Sequence, residues 1–88
     1  MTTQQMIEAL SKSKNELVAR KCQRILNEET TIEEELEYSG SFLTYVLTGD
    51  FKNAMRSADY QNHEALQKAI IISKENYFNQ TFGGNRTN

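Results

Sequence analysis

The chain has 88 residues, a formal net charge of −2, a single cysteine and no proline. That balance gives no general attraction to phosphate backbones or anionic lipid, so nucleic acid is a disfavoured partner. One cysteine excludes an internal disulfide, and no stretch approaches the roughly 20 apolar residues that span a bilayer.

A domain this small buries only about two-thirds of the surface that its unfolded chain exposes. The core is therefore expected to be thin, and further burial against a second chain is expected to stabilise it. Mean hydropathy is −0.69, yet apolar residues recur periodically along most of the length, which argues against wholesale disorder. The start, MTTQQMIEALSKSK, lacks the basic segment and apolar run of a secretory signal, so the expected compartment is a reducing cytoplasm. The Asn-x-Thr triplets at Asn79 and Asn85 are then read as chance.

In chain order, Met6, Ile7, Leu10, Leu17, Val18, Cys22, Ile25 and Leu26 recur at three- and four-residue steps. This predicts one apolar helical stripe from Thr3 to Asn27, either a long kinked helix or two short collinear ones. Ser13-Lys14-Asn15-Glu16 has the form of a capping box that starts the second part. Thr31-Ile32-Glu33-Glu34 opens a second helix, with Ile32, Leu36, Leu43, Val46 and Leu47 on one face and the small Ser39 and Gly40 between them. Glycine inside a helix costs about 1 kcal/mol relative to alanine, which weakens continuity at Gly40.

Gly49 is placed for the left-handed residue that ends this helix, and Asp50 for the cap of the next. Phe51, Ala54, Met55 and Ala58 make a short third helix. From about Gln61 to Gln80, Leu66, Ala69, Ile70, Ser73, Tyr77 and Phe78 define a last stripe flanked by Ile71 and Ile72. Residues 1–82 form one expected helical domain, and Gly83 to Asn88 an expected flexible tail.

The residues that could carry chemistry are few. Glu28, Glu29, Glu33, Glu34, Glu35 and Glu37 are a conspicuous acidic run, and Glu33 and Glu37 lie one turn apart. Most of them fall in the first turn of the second helix, where the macrodipole stabilises carboxylates without any ligand. A carboxylate-bridged di-iron site needs two Glu-x-x-His pairs, and the chain has one histidine. That residue, His63, has only Glu64 beside it, too little company for a metal ligand or general base, and Cys22 on the apolar stripe reads as a small hydrophobe. No catalytic residue, cofactor or metal is therefore assigned.

Lys12, Lys14, Arg20, Lys21 and Arg24 stand against the single Glu16. The acidic run that follows explains this basic stretch as mutual neutralisation, within a helical hairpin or between chains. The second helix is apolar on more than one face, because Phe42 and Tyr45 lie off its main stripe. Tyr45, Gly49-Asp50-Phe51 and Ala54 resemble the middle of a tetratricopeptide repeat, which implies a helix-turn-helix hairpin. That family's closing proline is absent, Phe42 falls where it places a small residue, and no second copy follows at about 34 residues.

The expected architecture is an all-α bundle of three to four helices, the second and last at its centre, completed as a homodimer. The expected function is a non-catalytic protein-protein interaction module, an adaptor, regulator or inhibitor that masks a partner's surface through Phe42, Tyr45, Phe51 and Met55. One alternative is nucleic-acid binding through Lys14, Arg20, Lys21 and Arg24. Another is a structural subunit of a homo-oligomeric assembly.

Overall fold

The computed structural model describes the backbone of residues 1–78 and the side chains of residues 1–72. The expected stripe members Ser73, Tyr77 and Phe78, as side chains, lie outside the described residues. So do the helix end near Gln80, the Asn79 and Asn85 triplets and the tail.

Every regular element among the described residues is helical: α1 (Thr3–Leu10), α2 (Glu16–Leu26), α3 (Ile32–Leu36), α4 (Ser41–Leu47), α5 (Phe51–Ser57) and α6 (Tyr60–Phe78). The all-α expectation holds. The count of three to four does not, because two expected helices are each divided in two.

The first division falls at residues 11–15, and the two parts are not collinear. Gln23 Nε2 of α2 donates to the Ser11 carbonyl at 2.8 Å, so α2 folds back across the end of α1. Asn15, not Ser13, caps α2 by accepting from the Val18 amide. Because α2 restarts there, its buried face is set by Val18, Ala19 and Cys22. Leu17 lies one residue, or about 100° of helix, off that face, and it is 71% exposed rather than part of the stripe.

The second division falls at residues 37–40. The Ser39 hydroxyl donates to the Glu35 carbonyl at 2.5 Å, supplying a local alternative to the helical ladder. Gly40 is extended and becomes the first cap of α4.

Local capping explains why such short helices form. Thr2 and Gln5 make a reciprocal capping box on α1. Thr31 accepts from the Glu34 amide at the start of α3, and Asp50 from the Asn53 amide at the start of α5. Asp59 accepts from the Asn62 amide at the start of α6. Two helices end in the same hydrogen-bonded turn. After α4 the Gly49 amide reaches the Val46 carbonyl and the Asp50 amide the Tyr45 carbonyl. After α2 the Glu28 amide reaches Ile25 and the Glu29 amide reaches Arg24. The left-handed residue of the first turn is Gly49, φ +79, as expected; that of the second is Glu28, φ 61.

The core is centred on α1, not on the expected second and last helices. Met6, Ile7 and Leu10 have no exposure, and α1 packs against α2, α4 and α6. Val18, Cys22, Leu43, Val46, Leu47, Ala54 and Leu66 complete the buried cluster. The reason is geometric: α2 folds back on one side of α1, while the α4–α5 hairpin and α6 close on the others.

The two left-handed positions make opposite predictions. A Cβ on Gly49 would stand 2.8 Å from Thr3 Oγ1 in a backbone that L-residues rarely adopt, so Gly49→Ala lowers stability by about 1–2 kcal/mol. Glu28→Gly relieves the same strain and raises it by about 0.5–1 kcal/mol. Gly40→Ala, with nothing within 4 Å of its Cβ, stays within about 0.5 kcal/mol. Urea unfolding followed by circular dichroism measures all three.

Candidate functional site

The charged residues show first what the fold does not assemble. Glu33, Glu34 and Glu37 are exposed around the five-residue α3. Among the described residues no three His, Cys, Asp or Glu side chains converge closely enough to hold a metal ion. His63 is half-buried in the first turn of α6, its amide bonded to the Asp59 carbonyl. No helix of the described residues is long and apolar enough to cross a membrane.

Glu35 departs from its neighbours by being buried, with Arg24 Nη1 at 4.0 Å from its Oε1. This pair joins the basic stretch to the acidic run across the α2–α3 turn. Beneath it, Cys22 has no exposure. Burial, then the negative charge of Glu35, pushes its thiol up to about 12.

A second polar group ties distant segments together. The Ser13 hydroxyl donates to Asn62 Oδ1 at 2.7 Å, both side chains buried, and also accepts from the Asn15 amide. Asn15 Nδ2 donates to Asp59 Oδ2 at 2.8 Å, while the other Asp59 oxygen caps α6. These bonds clasp the α1–α2 loop to the start of α6. Sequence reasoning missed the clasp; its one local signal is Asp59, three residues before Asn62. Lys14 and Lys68 flank the same end, at 3.9 and 3.1 Å from Glu64 Oε1. The Lys68 hydrogen bond, then the charge of Lys14, holds Glu64 below the usual carboxylate range.

Between α1 and α6 runs an open cleft of about 480 Å³. Met1, Ala9, Ala65, Ala69 and Ile72 provide its apolar surface, and Lys12, Lys14, Lys68, Glu8 and Glu64 are the charged residues along it. The volume lies in the range of small-molecule sites, but such sites also have a few polar groups converging on the ligand from an enclosed wall. Here the charges are paired with one another or exposed.

The four residues expected to meet a partner, Phe42, Tyr45, Phe51 and Met55, are brought together on the α4–α5 hairpin. Each is half-buried and packed against the core cluster. Among the described residues, the large apolar groups left most exposed are Leu17, Tyr38, Tyr60, Ile71 and Ile72. Of the basic residues, Lys14 and Arg24 stand beside carboxylates, Arg20 is exposed and Lys21 half-buried.

With the helical class and these surfaces defined, comparison with protein families, curated proteins and solved structures yields no match.

Two outcomes test the buried groups. Ser13→Ala leaves the Asn15 amide and Asn62 without a partner and lowers unfolding free energy by about 1–3 kcal/mol, more than Ser11→Ala at the exposed end of α1. Cys22 sets an alkaline limit. Below pH 9.0 both states keep the thiol neutral, but from there to about 12 only the unfolded chain releases its proton. Stability therefore falls as pH rises through this window. A Cys22→Ala chain shows a shallower fall, and wild-type Cys22 resists an aromatic disulfide reagent at pH 8 until urea unfolds the protein.

Proposed function

We propose that this chain is a non-catalytic interaction module, a small helical bundle completed as a homodimer, that acts by masking a surface on a protein partner. The observation that carries the reading is the distribution of apolar surface. Among the described residues, five large apolar side chains stand more than half exposed, over a core whose buried apolar cluster numbers ten. Exposed apolar groups gathered on one element mark places where another protein binds, and three of these five lie on α6.

The contact proposed for the heterologous partner is the α4–α5 hairpin. Its half-buried Phe42, Tyr45, Phe51 and Met55 offer apolar area already held in place by the core, and Tyr38, 76% exposed, precedes α4 by three residues. Aromatic groups with a polar tip suit such a contact, because they bury a large area and lose little conformational freedom. The pairing of Lys14 and Arg24 with carboxylates supports the reading of the basic stretch as self-neutralised rather than as a phosphate-binding face.

The test is capture from the native cell lysate with intact-mass measurement of the complexes. The wild-type chain is expected to retain one protein in fixed stoichiometry. Tyr45→Lys is expected to lose it by tenfold or more with an unchanged helical spectrum, at the roughly 1.4 kcal/mol per decade of any affinity. Retention by the variant overturns the assigned surface. Nucleic acid in the complex, released steeply by salt and lost on Arg20→Glu, overturns the reading itself.

A further inference from the structure

We propose that the homodimer forms through the exposed ridge of α6 that borders the α1–α6 cleft, laid against the same ridge of a second copy running in the opposite direction. The inference rests on the homodimer reading above and names its contact surface.

At 3.6 residues per turn, residues spaced by four form an inclined ridge along a helix. On α6 that ridge is Tyr60, Glu64, Lys68 and Ile72, with Ile71 beside its far end. Asn62 and Leu66, the buried residues of α6, lie off this ridge, whose Glu64, Lys68 and Ile72 form one rim of the α1–α6 cleft. Tyr60 is 83% exposed, Ile71 56% and Ile72 57%, so three of the five exposed large apolar groups of the described residues lie on this one surface. Lys68 is also exposed, at 67% of its side chain.

The order along the ridge is apolar, acid, base, apolar, and it is symmetric in position about Leu66. Reversed against itself, the ridge is complementary: Tyr60 meets Ile72 of the second copy, and Glu64 meets Lys68 of the second copy. The two-fold axis repeats both contacts, as an isologous interface requires. Ridges of this spacing pack at a crossing angle of about 50°, along a contact about 18 Å long at about 1.5 Å per residue. A parallel alignment would set Glu64 on Glu64 and Lys68 on Lys68. Within one chain Lys68 already lies 3.1 Å from Glu64. Lys14 of the same chain also stands 3.9 Å from Glu64, so the second copy joins two such groups, four lysines around two glutamates, between two apolar clusters.

The charge pattern supplies a test that a purely intrachain role would not pass. Light scattering of the full chain over a concentration series is expected to show a dimer. Glu64→Lys and Lys68→Glu, each alone, place like charges together and weaken the dimer by about tenfold. An equimolar mixture of the two variants opposes lysines at both positions of one chain to glutamates at both positions of the other, and dimerises at least as strongly as wild type.

Should a variant lose its helical spectrum, thiol probes replace it. Tyr60→Cys mixed with Ile72→Cys, both in a Cys22→Ala background, is expected to cross-link between unlike chains faster than either cross-links with itself. A dimer unaffected by the charge variants, a mixture that does not recover, or preferential like-with-like cross-linking overturns the α6 surface and leaves the homodimer standing. A chain that stays monomeric at all concentrations overturns both.

Discussion

Met6, Ile7 and Leu10 are wholly buried although they lie on a helix of eight residues. An isolated helix of that length is not stable in water, because nucleation is unfavourable and there are too few bonds to offset it. The α1 helix therefore exists only as an inserted element, and α2 and α6 each make their most extensive helix contact with it. Full burial of each such side chain stabilises the fold by about 1.5–3 kcal/mol, so this insertion decides whether the remaining helices have anything to pack on. The Thr2–Gln5 capping box and the absence of proline let α1 form locally, but neither would hold it without the stripe.

Polar groups then fix the geometry that hydrophobic burial leaves loose. Apolar contact has no direction, and several rotations of α6 about α1 would bury Leu66 equally well. The Ser13–Asn62 bond, buried and 49 residues apart in sequence, selects one of them, because any other would leave the Asn62 oxygen without this donor and the Ser13 hydroxyl without this acceptor. The Asn15–Asp59 bond links the cap of α2 to the cap of α6. The start of one helix thus sets the position of the other. On the far side of the core the Arg24–Glu35 pair plays a smaller part, since Arg24 is half exposed and solvent screens it.

The contrast between Gly49 and Ser13 shows how far the sequence is legible. Gly49 and Asp50 are read correctly because everything they need lies within five residues: a left-handed backbone after one helix and a carboxylate before the next. Ser13 has the same local credentials as a cap, yet its hydroxyl goes to a residue that no spacing argument connects with it, and Asn15 takes the capping role. Moving the restart to Glu16 also moves Leu17 off the core face, so one unforeseen long-range bond accounts for two errors. The split at residues 37–40 was partly visible in Gly40, whereas the Ser39 hydroxyl that turns back on the Glu35 carbonyl gives no periodic signal. The central place of α1 was hidden for a related reason: periodicity says which face of a helix is buried, not how many neighbours cover it. Phe42, Tyr45, Phe51 and Met55 lie on one hairpin, as the resemblance of Tyr45, Gly49-Asp50-Phe51 and Ala54 implied, but Ile71 and Ile72 of α6 read in the sequence only as flanks of a stripe.

A mismatch of lengths explains why α6 presents so much apolar surface. At about 1.5 Å per residue, the eight residues of α1 cover about 12 Å, and the nineteen of α6 run for about 28 Å. With its first turn clasped to the end of α1, α6 continues past the reach of its principal neighbour. Ile71 and Ile72 fall where that cover is running out, while Tyr60 stands exposed at the other end. Apolar groups on a helix that outruns its own core are stabilised by whatever covers them. A second α6 has the matching length, and in reverse it presents a base to each acid and an aliphatic or aromatic group to each end.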